Sequence, residues 1–258
     1  MMVKPKKSYG QHFLANRGVV EKIVAAISCS KKSVIVEIGP GLGALTQELA
    51  KRFGEDRLIL VEADRDFIPE LTKKFSKATI LAGDAAGVDW KKVIGSVPWV
   101  LVGNLPYNAA SAIMMQALES THPPKEMVVM VQKEQADRMM AKPGKTGILS
   151  LAIQLQANPE RLFNVAPGSF VPPPKVQSSV LRLTPIPHSQ KETQKILHLA
   201  SLGFTHRRKQ LASNFAQALK ISKAEVQEML KKIGINPEAR AQELTLEQWK
   251  EVTKLFFK

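Results

Sequence analysis

The chain of 258 residues is long enough for one large α/β domain and a small second domain. Lysine and arginine outnumber aspartate and glutamate by 37 to 23, which gives a formal net charge of +14. A charge of this size favours a polyanionic partner, either nucleic acid or an acidic membrane surface. The single cysteine, Cys29, excludes an internal disulfide and a cysteine-based metal cluster. No apolar run approaches the roughly 18 residues of a membrane span. For these reasons we expect a cytoplasmic protein.

The chain opens with a basic stretch and a motif of mixed chemistry. Three lysines within the first seven residues fit either a nucleic-acid-binding arm or a solvated terminus. The segment Gln11–Leu14 combines amide, imidazole, aromatic and aliphatic side chains, which suits contact with a small ligand. The helical spacing of Val19, Ile23 and Ile27 then predicts an amphipathic helix over residues 19–28.

A strand, a glycine turn and a helix form the first α/β unit. The β-branched run over residues 33–38 predicts the strand, and Gly39 and Gly41 allow the backbone to approach a ligand at the start of the next helix. A second strand ends in Glu62, about twenty residues past the glycines, where a carboxylate can bind ribose hydroxyls. With Ala44, the glycines also satisfy a dinucleotide fingerprint, so NAD and S-adenosylmethionine both remain open at this point.

Two further strands place polar residues at the same sheet edge. Asp84 follows a predicted strand over residues 78–81, and Asn104 follows one over residues 99–102. Asp84 can accept the amino group of a cofactor adenine, or it can cap its own loop. No arginine stands out at the end of the second strand to hold a 2′-phosphate, and we find no convincing hydride-handling site, so the sequence argues against a dehydrogenase.

The stretch Asn104-Leu-Pro-Tyr107 predicts a pocket for a planar group that carries an amino group. The Asn104 side-chain oxygen and the Leu105 carbonyl can accept its two hydrogens, and Tyr107 provides a flat face for stacking. Pro106 fixes φ and stiffens the turn. The alternative interpretation is an ordinary strand-to-loop turn with a buried tyrosine.

The rest of the first domain contains one more aromatic candidate. Phe170 precedes three consecutive prolines, Pro172–Pro174, and it can form an exposed stacking platform opposite Tyr107 or be buried beneath the proline-rich turn. The other predicted elements are a strand over 127–131, a mobile basic loop over 143–147, a helix over 149–156, and a last pair of strands over 163–165 and 179–183.

The proline-containing segment 184–194 lacks an apolar period, and we place the domain boundary there, with domains over residues 1–186 and 187–258. The second domain is predicted to be helical. Its capping signals are Ser222 with Glu225, Gly234 as a helix stop, and Thr245 with Gln248. The basic cluster of Arg207, Arg208 and Lys209 predicts contacts to nucleic-acid phosphates, although a solvated basic turn is the common alternative.

Taken together, these motifs resemble one known family, the ribosomal RNA small-subunit adenine dimethyltransferases of the kasugamycin-resistance type. The resemblance runs from about Ser8 to Phe257, and position 12 is histidine where some relatives have asparagine. The matching segments are residues 10–14, 37–43, Glu62, 83–85, 104–108, 132–134, 170–176, 204–214 and 240–244.

The resemblance implies an α/β fold of the Rossmann-like class I methyltransferase type, with a seven-stranded, mostly parallel sheet, a reversed final hairpin and a small all-α C-terminal domain. It implies S-adenosylmethionine as methyl donor, S-adenosylhomocysteine as product, no metal, and two adjacent adenosines near the 3′ end of 16S rRNA in the small ribosomal subunit as targets. We expect a monomer with a role in subunit biogenesis. The implied residues are His12, Leu14, Gly39, Glu62, Asp84 and Asn104 for the cofactor; Asn104, Leu105, Tyr107 and Phe170 for the flipped adenine; and Arg207, Arg208, Lys209 and Lys175 for RNA.

Three rival functions share parts of this pattern. A macrolide-resistance methyltransferase of large-subunit rRNA has a similar pocket, but segment 240–244 and Leu105 argue against it. A protein-glutamine methyltransferase would have proline in place of Leu105 and would leave the basicity unexplained. A ribosome-assembly or transcription factor with vestigial catalysis is the third alternative, and the intact cofactor motifs argue against it.

Overall fold

The structure is a computed structural model, and it describes residues 11–257. The expected N-terminal basic arm therefore lies outside the described residues. The chain forms two compact units. The first comprises residues up to Ala136 together with Asn158–Pro185, and the second comprises Asp137–Ala157 together with the residues from Ile186 onward. Among the described residues, no helix is both long and apolar enough to cross a membrane.

The strands of the described residues lie in the first unit, except that Ala157, the first residue of one strand, belongs to the second unit. In chain order they are β1 (Phe13–Leu14), β2 (Val34–Ile38), β3 (Leu58–Glu62), β4 (Thr79–Ala82), β5 (Trp99–Asn104), β6 (Glu126–Gln132), β7 (Ala157–Val165), β8 (Phe170–Val171) and β9 (Ser178–Pro185). Seven of them form one sheet in the order β4-β3-β2-β5-β6-β9-β7, while β1 pairs with β8 in a separate ribbon.

The main sheet has the predicted direction pattern. Strands β2 to β6 pair in parallel, and β9 runs antiparallel to β6, which is the reversed end of the sheet. The central strand β5 is buried on both faces, and for this reason its sequence is a continuous apolar run without alternation. The fold class predicted from the sequence is confirmed.

The helices cover the sheet in the first unit and form the second unit. They are α1 (Arg17–Ala26), α2 (Ala44–Phe53), α3 (Ile68–Lys74), α4 (Trp90–Ile94), α5 (Ala110–Glu119), α6 (Lys133–Met139), α7 (Ile148–Gln154), α8 (Gln190–Gly203), α9 (Leu211–Leu219), α10 (Lys223–Lys232) and α11 (Leu246–Phe256). The helix predicted over 19–28 is α1, which begins two residues earlier because the Asn16 side chain accepts from the Val19 N–H.

The second unit is a helical bundle with its own core around Trp249. The ends of its helices follow the predicted signals. Thr245 and Gln248 form a reciprocal capping box, the Ser222 hydroxyl accepts from the Glu225 N–H, and Gly234, with φ of +71°, follows α10.

The compact units and the predicted domains differ in one segment. The boundary proposed after residue 186 falls one residue from the junction between Pro185 and Ile186. Residues 137–157, which the sequence analysis assigned to the first domain, group with the helical unit instead. The helix α7 in this segment packs against α8, and Leu151 and Leu155 belong to the core of the helical unit.

Gly103 provides a test of the central strand pair. A Cβ atom added at Gly103 would lie 2.6 Å from the Ile38 carbonyl oxygen, so the backbones of β5 and β2 would have to separate. We predict that Gly103→Ala lowers the free energy of unfolding by about 2 kcal/mol in a denaturant titration. Gly168→Ala is the control, because a Cβ there meets no atom within 4 Å. Equal stability of the two variants would contradict the prediction.

Candidate active site

The carboxyl ends of β2 to β5 and the β1–β8 ribbon surround a cavity of about 470 Å³ in the first unit. This is the edge at which open α/β sheets bind their ligands, and the volume suits a nucleotide-sized molecule. The residues that line it include most of those predicted from the sequence: His12, Leu14, Gly39, Glu62, Asp84, Asn104, Leu105 and Tyr107.

The glycine turn between β2 and α2 forms one wall of the cavity. Gly39, Gly41 and Gly43 all have positive φ, between +53° and +77°, which side-chain-bearing residues rarely adopt. At Gly41 an added Cβ would also lie 3.0 Å from the Phe13 ring. The turn therefore brings bare backbone to the cavity, followed by the N-terminus of the ten-residue helix α2.

Glu62 lies at the end of β3 and is held by the backbone around it. Its Oε2 accepts from the Gly41 N–H at 3.0 Å, and its Oε1 accepts from the Asp64 N–H at 2.9 Å. Burial raises the pKa of the Glu62 carboxyl, and these two backbone donors oppose that shift. Each carboxylate oxygen retains a second lone pair, so Glu62 can still accept from ligand hydroxyls.

Asp84 follows β4, caps its own loop as predicted, and lines the cavity. Its Oδ1 accepts from the Ala86 N–H at 2.9 Å, so Asp84 caps the short turn that follows. The side chain is exposed and lines the cavity, which leaves the second carboxylate oxygen available to a ligand.

Asn104, at the end of β5, has an amide whose orientation can be assigned. Its Nδ2 donates to the His12 carbonyl oxygen at 2.9 Å. Because a carbonyl oxygen only accepts, the atom facing it must be the amide nitrogen, and Oδ1 is directed away from this contact. The neighbouring Leu105 is anchored by its N–H to the Met130 carbonyl of β6. Asn104 is therefore a pre-oriented acceptor.

Tyr107 is half-buried beside Asn104 and is fixed at its hydroxyl, which lies 2.9 Å from Ser178 Oγ. Burial raises the pKa of the Tyr107 phenol, so the ring is neutral at physiological pH. The His12 ring stacks on Tyr107 with a centroid separation of 5.9 Å. His12 Nδ1 lies 2.8 Å from the Pro172 carbonyl oxygen and must carry a proton to donate to it.

Phe170 differs from its predicted position. Its side chain is 2% exposed and belongs to the hydrophobic core, and in the ribbon it pairs with Leu14. The next residue, Val171, is 61% exposed and lines the cavity. The exposed stacking platform predicted at Phe170 is therefore wrong for this structure. Successive strand residues point to opposite faces, and in β8 the core side falls on Phe170.

Glu37 is a cavity residue that the sequence analysis did not select. It lies within β2, is 2% exposed, and also lines the cavity. Burial raises the pKa of its carboxyl to about 8, and the adjacent Glu62 carboxylate adds to the shift. The available signal was an acidic residue inside an otherwise apolar buried strand, which requires a specific reason.

The predicted RNA-binding residues lie in different units. Lys175 is exposed in the first unit, and Arg207, Arg208 and Lys209 are exposed in the turn between α8 and α9. Buried Asn214 holds this turn, because its Nδ2 donates to the carbonyl oxygens of Gly203 at 2.5 Å and His206 at 3.2 Å.

The basic loop at residues 143–147 is attached to the rest of the second unit. The Gly144 N–H and the Thr146 hydroxyl both donate to the Gln242 carbonyl, at 2.6 and 2.8 Å. Arg207 Nη2 donates to the Thr146 carbonyl at 3.2 Å. The mobile loop that we predicted for this segment is therefore tied to segment 240–244 and to the basic turn.

The architecture is that of the class I methyltransferase fold. The structure superimposes on a dimethyladenosine transferase from Plasmodium falciparum with a TM-score of 0.77 and 24% identity, covering 95% of this chain and 98% of that one. It superimposes on the 23S rRNA methyltransferase ErmE with a TM-score of 0.74 and 22% identity, covering 95% of this chain and 100% of that one. Both similarities concern the fold.

Sequence comparison places the chain more narrowly. Residues 2–258 match the family model described as ribosomal RNA adenine dimethylase. Proteins named ribosomal RNA small subunit methyltransferase A are similar along nearly the whole chain. The protein from Dehalococcoides mccartyi strain CBDB1 is 40% identical over 97% of this chain and 88% of its own length, and that from Desulfitobacterium hafniense strain DCB-2 is 39% identical over 99% and 93%. The chain belongs to the ribosomal RNA adenine dimethylase family.

The residues of the cavity fit S-adenosylmethionine, the donor that this fold and family imply. The glycine turn leaves backbone room, the carboxylates of Glu62 and Asp84 can accept from hydroxyl and amino groups, and Glu37 adds a buried carboxyl group that a cation could pair with. Within residues 11–257, no group of three or more histidine, cysteine, aspartate or glutamate side chains is arranged to hold a metal ion.

The raised pKa of Glu37 predicts a specific pH dependence of stability. Between the ordinary value of 4.5 and the folded value of about 8, the folded protein holds a proton that the unfolded chain releases, so rising pH favours unfolding. We expect the wild-type protein without cofactor to lose stability relative to Glu37→Gln, by on the order of 1 kcal/mol per pH unit across this range. Denaturant titrations at a series of pH values measure this difference. Exposed Glu119→Gln is the matched charge control, and parallel curves for Glu37→Gln and the wild type would refute the assignment.

Proposed function

We propose that this protein transfers methyl groups from S-adenosylmethionine to N6 of two adjacent adenosines near the 3′ end of small-subunit rRNA, forming dimethyladenosine. The observation that carries this proposal is the amide of Asn104, which its contact with the His12 carbonyl orients as an acceptor at the strand end. An acceptor in this position suits an amino group, and Tyr107 beside it suits a planar base.

The cofactor would be held by the residues at the strand ends. His12, Leu14, Gly39, Glu62, Asp84 and Asn104 all line the same cavity. When bound, S-adenosylmethionine supplies a methyl group on a positively charged sulfur, which is already strongly electrophilic. The task that remains for the protein is to position the nucleophile, so neither an additional metal nor an activating base is required.

The chemical contribution of the protein is made at the adenine amino group. The N6 lone pair is delocalised into the ring, and attack requires a more pyramidal nitrogen. Acceptors at Asn104 Oδ1 and the Leu105 carbonyl favour that geometry, and these hydrogen bonds strengthen as the nitrogen becomes positive in the transition state. We assign no aspartate or glutamate as general base, because the methylated nitrogen is acidic enough to lose its proton after transfer.

Stacking on Tyr107 would offset the cost of extruding the base. Extrusion of a base costs a few kcal/mol, about 2 to 4 for a loop adenine, and stacking on an aromatic ring returns about 1 to 3. Val171, an exposed residue of the ribbon that lines the cavity, adds apolar surface to it. With Phe170 buried, Tyr107 is the aromatic ring to which we assign the stack.

The small ribosomal subunit is the partner that we propose. Relatives that are 37–40% identical along nearly the whole chain are named for the small subunit, whereas ErmE is similar in fold at 22% identity. The basic residues Lys175, Arg207, Arg208 and Lys209 would contact rRNA phosphates. We expect the protein to act in the cytoplasm, since the proposed substrate is the ribosome, and we retain the expectation of a monomer.

Labelled methyl transfer to isolated ribosomal particles tests this proposal. Small subunits without adenine dimethylation, large subunits and free rRNA would be compared, with nucleoside analysis of the product. We expect dimethyladenosine in small-subunit RNA alone. Product in large-subunit RNA would instead support the macrolide-resistance type. An absence of transfer, with cofactor and subunit binding both retained, would support an assembly factor with vestigial catalysis.

Asn104→Ala separates the proposed chemistry from binding. Because Asn104 Oδ1 acts mainly in the transition state, we expect this variant to lose about 100-fold or more in methyl transfer while its affinity for small subunits changes little. Single-turnover transfer and filter binding provide the two values. Asn108→Ala is the matched control, since Asn108 is exposed in the same loop and does not line the cavity. Equal losses of transfer and binding in Asn104→Ala would refute the role of Asn104.

The basic turn before α9 predicts salt-sensitive RNA binding. Replacing Arg207, Arg208 and Lys209 together by glutamine removes up to three phosphate contacts, so the slope of log affinity against log salt should become less negative by roughly 2 to 3. Binding to small subunits at several salt concentrations measures this slope.

A control variant distinguishes these contacts from net charge. Glutamine replacements at Lys220, Lys231 and Lys232, which are exposed elsewhere in the helical unit, remove the same charge and should leave the slope almost unchanged. If both triple variants shift the slope equally, the basic turn has no special role.

A further inference from the structure

The carboxyl group of Glu37 has an unusual environment for a cavity residue. It lies beneath the glycine turn, close to the hydroxyl of Thr46 on α2, and both side chains are almost completely buried. The nearby Thr46 hydroxyl favours the ionised form of Glu37 and so opposes the rise in its pKa, but neither Glu37 Oε2 nor Thr46 Oγ1 meets a partner within hydrogen-bond geometry among the described residues. Unpaired buried polar atoms cost free energy, and Glu37, unlike Thr46, lines the cavity, so a bound ligand can provide the partner that its carboxyl group lacks.

The charges around Glu37 are of one sign. The other carboxyl groups of the cavity are Glu62 on β3 and Asp84 after β4, and its remaining titratable side chains are His12 and Tyr107. No lysine or arginine is among the residues that line the cavity. An ionised Glu37 in the empty cavity would therefore be a buried anion beside another carboxylate, without a counter-charge.

The cofactor of the proposed function supplies the missing charge. S-adenosylmethionine carries a sulfonium and an ammonium group against one carboxylate, so it enters with a net charge of +1. A cation that leaves water for a buried cavity requires an anionic partner, and a buried carboxyl group requires a cation in order to ionise.

We propose that Glu37 is a protonated acid in the empty cavity and releases its proton to solvent when S-adenosylmethionine binds, becoming the buried counter-charge of the cofactor. This proposal rests on the proposed function for the identity of the ligand. The O–H bond of the neutral acid breaks, its electron pair stays on the carboxylate, and the proton passes to the buffer. Cofactor binding and proton release are thereby coupled.

The electrostatics of the empty cavity agree with this state. Burial and the neighbouring Glu62 raise the pKa of Glu37 to about 8, so the acid is mostly protonated near pH 7. Glu62 is in a different situation because two backbone N–H groups already donate to its oxygens. For Glu37 the Thr46 hydroxyl opposes the rise in pKa but burial outweighs it, so Glu37 is the carboxyl group whose ionisation depends most on the ligand.

Titration calorimetry of the 258-residue chain with S-adenosylmethionine measures the released proton directly. Measurements at one pH in two buffers of different ionisation enthalpy give the number of protons per bound cofactor. We expect close to one proton released near pH 7, decreasing towards zero above pH 9, where Glu37 is already ionised in the empty cavity. The affinity should correspondingly rise by up to roughly tenfold per pH unit between pH 6 and 8.

Two variants assign the proton to Glu37. Glu37→Gln keeps the shape and cannot ionise, so it should bind the cofactor more weakly at pH 9 and release no proton near pH 7. Glu126→Gln is the matched control, because Glu126 is also buried with a raised pKa, but it pairs with Arg182 at 3.5 Å and does not line the cavity. It should release the proton as the wild type does.

The outcomes separate the two proposals. If the wild type binds S-adenosylmethionine and releases no proton near pH 7, or if Glu37→Gln releases as many as the wild type, the role of Glu37 is refuted while the proposed function stands. If the wild type does not bind S-adenosylmethionine, the proposed function itself fails. Circular dichroism confirms that the variants are folded, and the wild-type proton count decides the question even if Glu37→Gln does not fold.

Discussion

One hydrogen bond joins the two segments that form the base side of the cavity. Asn104 Nδ2 donates to the carbonyl of His12, 92 residues away in the chain, and this contact leaves the opposite face of the amide as an acceptor. The same residue, His12, stacks on Tyr107 and donates to the Pro172 carbonyl. Orientation by a backbone carbonyl does not depend on a rotatable side chain, and it is therefore a rigid form of pre-organisation.

The parallel sheet explains why these groups meet. Parallel strands end at a common edge, and each of β2 to β5 delivers a polar or glycine residue there, so residues far apart in the sequence surround one cavity. The backbone of Gly103 lies against Ile38, which allows β5 and β2 to approach closely near that edge. The close packing of β5 against β2 therefore also affects the shape of the site at that edge.

The sequence predicted the features that depend on local pattern, including the buried strands, the glycine turn and the acids that follow β3 and β4. It did not decide features that depend on tertiary contacts. Phe170 was assigned to the cavity, but its pairing with Leu14 directs it into the core. The segment 137–157 has an ordinary helical pattern, and only its packing on α8 assigns it to the helical unit. Glu37 was overlooked because periodicity describes burial and not the partners of a buried charge.

Glu37 and Glu126 show how position along a strand determines the chemistry of the same side chain. Both are buried glutamates of one sheet, on strands β2 and β6 that flank β5, and burial raises the pKa of each. Glu126 begins β6, at the amino end, where Arg182 and the Ser28 N–H neutralise it within the protein. Glu37 lies near the carboxyl end of β2, where the glycine turn leaves a cavity in place of a partner. A buried carboxylate that is paired within the protein already has its partner before any ligand binds, whereas a buried carboxyl group without a partner at the ligand edge can contribute free energy to binding.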